Sequence, residues 1–567
     1  MNEFAKTGVF LGGAALLALV ASLVGPKSQP HKLFVEAGEG QAFYPDFKEP
    51  DAATELEVVQ FEEASSSIRT FSCKKDEKGL WVIPSHGFYP ADATSRMSKA
   101  ATMFIGLQKQ RVVDDKKENH AKYGVLDPAE QGVETKGRGL RVKLKDKTGN
   151  VLSDLILGNE IDGKMDVRYA RVPEKRHVYT CKLSGELSTK FADWIETDLL
   201  KVTSWDTKKI VFDNYKFDEA SRDVVPGDKY VVSKDEQSKW AFAGVDASKE
   251  DSNEEKIREI ADGLGQIKIV GVRRKPAGLT ADFKLEKGAD GEGVLQSLVG
   301  AGYFPTRNGV ISNEGELQVH TTKGLLYTLR FGEIAYGEGD ELTSGIQSAP
   351  PQPKPGETGP AAKAANNRYL MVSIAFDESL LQKPVGLRFA KEQLDKRSAA
   401  RDAMAAIVAA VDAYKAKNGG KLPEALAKLT EKPAEGEPLL AELKKDPWDG
   451  DYVLQVQGET FTVVSFAEDK KEGGEGAATD VRSDQFPRED EFKRTSDEWT
   501  EYDKKVEDGK KEADKLVKRF GPWYYVIDQA LFTKLKPARK DLVKDKAPAT
   551  PADPNAPGQE APKEPGK

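Results

Sequence analysis

The stretch that decides the fold is Gly521-Pro-Trp-Tyr-Tyr-Val-Ile-Asp-Gln-Ala-Leu-Phe-Thr-Lys-Leu-Lys-Pro-Ala-Arg-Lys-Asp-Leu-Val543. It reads as a second copy of His177-Val-Tyr-Thr-Cys-Lys-Leu-Ser-Gly-Glu-Leu-Ser-Thr-Lys-Phe-Ala-Asp-Trp-Ile-Glu-Thr-Asp-Leu-Leu200. Each predicts a short aromatic and β-branched strand, then an amphipathic helical segment that ends in Asp-Leu-(Leu/Val)-Lys. In the first copy a strand over Val167 to Val172 precedes the motif almost at once. In the second copy the matching strand, Arg368 to Ala375, lies far upstream. Two strands of one domain have been separated by an insertion.

Working outward, the segment before each motif retraces the same path. Leu56-Glu-Val-Val-Gln-Phe61 alternates as a strand and is answered by Lys209-Ile-Val-Phe212. A meander over Arg69 to Lys74 and Gly79 to Ile83 is answered by Tyr230-Val-Val232 and Trp240-Ala-Phe242, with Trp240 matching Trp81. A helix over Asp92 to Leu107 is answered by one over Glu254 to Leu264. Hairpins over 140–157 and 317–331 complete the two copies. The turn after the second hairpin swells to Glu333–Asn367 and contains Ala349-Pro-Pro-Gln-Pro-Lys-Pro355, a composition that predicts a disordered loop. The tail from Lys546 to Lys567 reads the same way.

A length of 567 residues suggests about four domains. The formal net charge of −8 argues against nucleic acid, whose partners carry a basic face. Gly8 to Val24 carries no charge. At ~1.5 Å per residue it reaches roughly 25 Å, the short end for a bilayer. It predicts a single-pass anchor in the inner membrane with the bulk of the chain in the periplasm; a cleaved secretory signal ending at Val20-Ala-Ser22 is the other reading. Cys73 and Cys181, the only cysteines, are either a disulfide of an exported chain or two buried thiols.

Trp81-Val-Ile, Tyr123-Gly-Val-Leu-Asp-Pro, Leu155-Ile-Leu-Gly158 with Arg168-Tyr-Ala-Arg-Val, and Trp523-Tyr-Tyr-Val-Ile resemble a family of duplicated α+β domains without assigned chemistry, found in bacterial proteins with one N-terminal membrane helix. The resemblance covers roughly 51–380 and 518–545. It implies an auxiliary component of an ABC-type transport or gliding-motility complex.

The insertion carries its own signature. A helix is expected over Gly386 to Asn418, with Ala400, Met404, Ile407, Val408, Val411 and Tyr414 as one apolar stripe. Tyr414-Lys-Ala-Lys-Asn-Gly-Gly-Lys-Leu-Pro423, Lys444-Lys-Asp-Pro-Trp-Asp-Gly-Asp-Tyr452 and Val463 to Asp480 follow. Over about 398–484 this order resembles the soluble part of the major pseudopilin of type II secretion systems. No prepilin-peptidase site or apolar stem precedes it, so polymerisation through such a stem is not expected. The resemblance implies calcium in the acidic loop, held by Asp469, Asp480 and the Phe466 carbonyl, since hard cations take carboxylate and carbonyl oxygens from flexible loops. The chain departs from the pattern at Lys470, Gly476, Ala477 and Ala478. Glu472 and Glu475 would compensate only by pointing inward, and a Gly-rich turn held by its own backbone bonds is the alternative.

Beyond the loop, Phe492, Trp499, Tyr502, Val506, Ala513, Leu516 and Phe520 fall near heptad spacing. They predict a return helix, either packed on 386–400 as an antiparallel stalk or lying on the body with a break at Gly509. The domains expected are thus 1–30 (anchor), 51–204, 205–383 with 518–545, the insert 386–517, and the tail 546–567. The fold class is α+β: an N-terminal transmembrane helix, two repeated sheet-plus-helix domains, and a pseudopilin-like head on a helical stalk.

Five scattered histidines offer no zinc spacing. Glu472-Gly-Gly-Glu-Gly lacks the Gly-Lys-Ser/Thr end of a phosphate loop, and no Gly-x-Ser-x-Gly elbow occurs. The expectation is a non-enzymatic, membrane-tethered scaffold presenting domains to ABC-type transporter subunits or, alternatively, docking on a secretion pseudopilus through its head.

Overall fold

The computed structural model describes residues 13–15, 38–63, 66–185, 187–288, 291–336, 342–343 and 367–546. The apolar leader apart from 13–15, nearly all of the Pro-rich loop and the tail from 547 lie outside the described residues. Among the described residues no helix is long and apolar enough to cross a membrane.

Nine strands form the first sheet: β1 (Glu55–Glu62), β2 (Ser67–Lys75), β3 (Trp81–Ile83), β4 (Tyr89–Pro90), β5 (Arg111–Asp114), β6 (Leu140–Lys145), β7 (Val151–Glu160), β8 (Val167–Arg171) and β9 (Val178–Lys182). Their order is β4-β3-β2-β1-β6-β7-β8-β9-β5. Alternation along β1 sets its two faces. Leu56 and Val58 are fully buried, while Glu55 and Glu57 on the other face pair with Lys145 across the ladder at 2.6 and 3.5 Å. The Thr94–Phe104 helix buries Met97, Ala100, Ala101 and Phe104 against this sheet's core.

The second half supplies β10 (Thr207–Asp213), β11 (Lys216–Asp218), β12 (Asp223–Val225), β13 (Lys229–Lys234), β14 (Trp240–Phe242), β15 (Glu250–Ser252), β16 (Gly271–Arg274), β17 (Tyr303–Thr306), β18 (Gly309–Ser312), β19 (Glu316–Thr321), β20 (Leu325–Ala335) and β21 (Asn367–Phe376). After the insert, whose strands are β22 (Val453–Gln457), β23 (Thr460–Ser465) and β24 (Val481–Arg482), come β25 (Trp523–Asp528) and β26 (Val543–Asp545). The second sheet runs β14-β13-β10-β19-β20-β21-β25-β16. Strand for strand this is the order β3-β2-β1-β6-β7-β8-β9-β5 of the first sheet.

The register matches as well. Leu56 faces Cys73 and Leu144, as Ile210 faces Val232 and Val319. Arg168 faces Cys181 as Arg368 faces Ile527. Val112 faces Tyr179 as Val272 faces Tyr525. Lys75 pairs with Trp81 and Lys234 with Trp240, each ammonium lying over the indole at 5.0 and 5.2 Å. Both long strands slip at a glycine, β7 after Leu157 and β20 after Phe331. A Cβ on Gly158 would lie 2.3 Å from the Tyr123 carbonyl oxygen, and one on Gly332 would lie 2.2 Å from that of Ala301.

The strands β21 and β25, distant in sequence, are neighbours: Arg368 pairs with Ile527 and Leu370 with Tyr525. Everything between them is the insert, which has its own three-stranded sheet, β22-β23-β24, and its own apolar cluster under the Lys391–Lys417 helix. The two large sheets share one continuous core.

Several expectations need correction. The helical segment expected over the first motif is only a 3-10 turn, Phe191–Trp194. Trp194 Nε1 donates to the Ser188 carbonyl and the Ser188 hydroxyl donates to Asp193, which curls the chain before a helix can propagate. The insert helix starts at Lys391 rather than Gly386. The return helix runs unbroken from Phe486 to Phe520. Gly509 is no break: the helix presses so closely on the body there that a Cβ would lie 2.4 Å from the Phe376 ring and 2.9 Å from the Lys323 carbonyl oxygen. No boundary falls at 517, because Ala513, Leu516 and Phe520 belong to the body's core. Cys73 and Cys181 are free, buried thiols. β1, β6, β7 and β8 lie between their strands. At ~4.8 Å per strand they stand about 24 Å apart along the sheet, far beyond disulfide reach. The Glu292–Gly300 helix and the β17–β18 hairpin were not foreseen.

Candidate functional site

The acidic loop of the head, residues 466–480, connects β23 to β24. Its base is set by Asp446 of the Asp-Pro-Trp turn, a buried carboxylate. Asp446 Oδ1 accepts from the Trp448 and Gly450 amides at 3.0 and 2.7 Å, and Oδ2 accepts from the Ser465 hydroxyl at 2.6 Å. One short side chain thereby pins the turn to the strand that launches the loop. Trp448 packs on the head's core.

Within the loop, Asp480 closes a small ring. Its Oδ2 accepts from the Gly473 amide at 2.9 Å, and its own amide donates to the Gly473 carbonyl at 3.2 Å. Gly474, at φ +88°, must be glycine, since a Cβ would lie 2.2 Å from the Ala478 carbonyl oxygen. Asp480 is 6% exposed, and its Oδ1 has no hydrogen-bond partner. Burial pushes its carboxyl above the usual range; the Gly473 amide pulls it back, and the charges of Asp469 and Glu472 add to the rise. Asp469 Oδ1 accepts from the Lys471 amide at 3.1 Å. Glu472 accepts from Gln455 Nε2 on β22 at 3.0 Å, so it turns toward the neighbouring strand.

A buried, orphaned carboxylate oxygen flanked by further negative charge is a place where a hard cation fits. Asp480, with Asp469 and the Phe466 carbonyl, would hold it, and the cation would supply the positive charge that the ring lacks. Among the described residues no three His, Cys, Asp or Glu side chains form a preassembled cluster. A cation here therefore relies on backbone oxygens as well as on the two aspartates.

The residues that the sequence reading missed are Arg397 and Glu489. Arg397 Nε and Nη2 bind both Glu489 oxygens at 2.7 and 2.6 Å. Nη1 donates to the Thr479 carbonyl at 2.7 Å and Nη2 to the Asp480 carbonyl at 3.4 Å. The Phe389 and Phe492 rings flank the guanidinium at 5.4 and 5.2 Å. The end of the acidic loop is thus tied to both long helices by one buried, bidentate ion pair. A signal was available: Arg397 continues the stripe of Ala400 and Met404, a charge on an apolar face.

Two family matches accompany this geometry. Residues 81–288 match the family described as Domain of unknown function (DUF4340), a span that runs across both sheets. Residues 389–484 match Type II secretion system (T2SS), protein G, so the head is pseudopilin-like in sequence from the start of its helix to the end of the acidic loop. No curated protein matches the chain.

Proposed function

We propose that this chain is a non-enzymatic scaffold, anchored by residues 8–24 in the inner membrane, that holds a pseudopilin-like head for protein partners outside the cytoplasm. The observation that carries this reading is the return helix. It packs antiparallel on the head helix and the residues leading into it at one end, with Arg397 paired to Glu489, Arg401 to Asp490 and Phe389 against Phe492. At the other end it buries Ala513, Leu516 and Phe520 in the body. At ~1.5 Å per residue its 35 residues extend about 52 Å. A single helix shared by two cores fixes the head's position, which suits presentation. The matched register of the two sheets supports a body that arose by duplication.

The match to protein G favours a secretion-type assembly as the partner. The ABC-type transport or motility complex is the second reading and rests on the body's resemblance. A photocrosslinking residue at Val456, half-exposed on the edge strand β22, distinguishes them in cells. Pseudopilin-type subunits crosslinked there support the first and transporter subunits the second. Labelling no greater than from a control site at Val151 on the body overturns both. Anchoring predicts retention in membranes through an alkaline carbonate wash and release when residues 1–30 are removed.

Calcium belongs to the same proposal. Asp480's raised carboxyl means that the ionised loop costs stability as pH rises above the usual carboxylate range, and a bound cation reverses that sign. Calcium at 100 times its Kd should stabilise the head by about 2.7 kcal/mol. Asp480→Asn should abolish the shift. No shift in the unsubstituted protein removes calcium from the proposal.

A further inference from the structure

Among the described residues three arginines are almost fully buried: Arg171, Arg368 and Arg397. Arg397 is clamped by Glu489, and Arg368 stands 3.7 Å from Glu314. Arg171 has no carboxylate within ion-pair range among the described residues. Its Nε donates to the Val125 carbonyl at 2.9 Å and its Nη1 to the Lys175 carbonyl at 3.1 Å, both neutral acceptors. Nη2 has no described partner. Asp127 and Glu130 act on it only from beyond ion-pair distance, and burial still holds its guanidinium below its ordinary value; a buried charge hydrogen-bonded only to neutral acceptors is costly unless a counter-charge comes closer.

Arg171 lines a cavity of about 450 Å³ in the first module, within the usual range of small-molecule sites. Five cationic and three anionic side chains line it. Two of the three carboxylates are already engaged: Asp127 with Arg141 at 2.9 Å and Glu130 with Lys117 at 3.4 Å. The third, Glu174, is exposed. His120 adds no compensating negative charge. Its Nε2 donates to the Arg176 carbonyl at 2.9 Å, and burial, with Arg171 and Lys117 nearby, holds it below its ordinary value.

The second module shows that the fold does not require this charge. The shared register that equates Arg168 with Arg368 places Met371 where Arg171 stands. Met371 is fully buried in an apolar cluster with Tyr303 and Val526. One copy packs this position with hydrocarbon, and the other keeps a cavity beside a cation.

We propose that the Arg171 cavity binds a small molecule through a compact oxyanion group, a carboxylate or a phosphate, with Arg171 as the central cation and Lys175 and Arg176 at its rim. This is independent of the scaffold reading, because the cavity lies in the first module and not in the head.

The test is calorimetric titration of the full chain in detergent with sodium succinate and, separately, with inorganic phosphate, each against sodium chloride of equal ionic strength. Saturable binding of either anion beyond the chloride control is expected, and which one binds identifies the group. Arg171→Met, which installs the residue of the other module, should weaken binding at least about tenfold, the loss expected of a charged hydrogen bond. Arg176→Met, at an exposed position, is the second variant should Arg171→Met not fold, and should weaken binding less. Absence of saturable binding by both anions overturns the proposal, as does a folded Arg171→Met that binds like the unsubstituted chain.

Discussion

The first sheet is closed where the second is open. β8 and β9 are joined by the short link 172–177, whereas β21 and β25, their counterparts in order and register, are separated by the whole head and both long helices. The sheet tolerates this because its ladder is indifferent to what joins two paired strands. Loop closure grows only with the logarithm of length, and the insert shortens the effective loop by folding on its own core. The opened copy also gains from its insert, since the last turns of the return helix supply Ala513, Leu516 and Phe520 to the body. The register position at which the chain enters β9 or β25 shows the difference best. In the first copy it holds His177, half-buried and one residue before β9. In the second it holds Trp523, 4% exposed and seated edge-on against Tyr89 of the other module at 5.0 Å. The position where the chain re-enters the second sheet has become the junction between modules.

The sharpest way to break this comparison is at that pair. Trp523→Ala should cost about 3–5 kcal/mol, as for a buried tryptophan, while His177→Ala should stay within about 0.5 kcal/mol. Denaturant unfolding followed by circular dichroism reads both, and equal costs would mean that Trp523 does not join the modules. Next in size is the ion pair that ties the head. Arg397→Met leaves Glu489 buried without its partner and should cost about 3 kcal/mol. Proteolysis should then open the head, at residues 391–500, well before the body. Simultaneous opening of body and head would show that the insert does not fold on a core of its own.

A finer test lies at the matched slips in β7 and β20. Gly158→Ala and Gly332→Ala each drive a methyl group into a backbone carbonyl, so each should cost about 2 kcal/mol by overpacking. The equivalence of the two sheets requires similar losses. Thermal unfolding in which one variant is neutral and the other is not would show that the glycines serve different ends.

The pairing of strands was legible because alternation along β1, β6, β10 and β19 leaves few registers that bury Leu56, Val142, Ile210 and Leu317 together. The displaced strand at Trp523 was legible because the aromatic and β-branched run Trp523 to Ile527, with the segment after it, repeats the order of the 177–200 motif. What escaped is tertiary in origin. The Glu292–Gly300 helix and its hairpin contain apolar runs too short to show a period. The Phe191–Trp194 segment has helical spacing but is held in a tighter turn by Ser188. Arg397 and Glu489 lie 92 positions apart, and only the packing of two helices makes them partners. At the acidic loop Asp469 and Asp480 were legible by pattern, whereas the orphaned Oδ1 of Asp480 follows from burial, which no pattern displays. The cavity at Arg171 was invisible for the same reason: its meaning comes from the missing carboxylate and from Met371 standing in its place.

The smallest expected effect separates the two copies where they look most alike. Lys75 lies over Trp81 and Lys234 over Trp240, but Lys75 is exposed whereas Lys234 also reaches the Ser204 carbonyl and a second indole, Trp205, at 5.8 Å. Lys75→Met should cost about 0.5 kcal/mol and Lys234→Met about 1 kcal/mol, the range of exposed and partly desolvated cation–π contacts. Burial, with Arg258 beside it, draws Lys234 below its ordinary value of 10.5. The folded chain therefore releases this proton before the unfolded chain does, so stability should rise with pH through the window just below 10.5. Lys234→Met should flatten that part of the pH profile. If Lys234→Met keeps the rise, or if the two variants lose equal stability, the second module owes nothing there to its extra contacts.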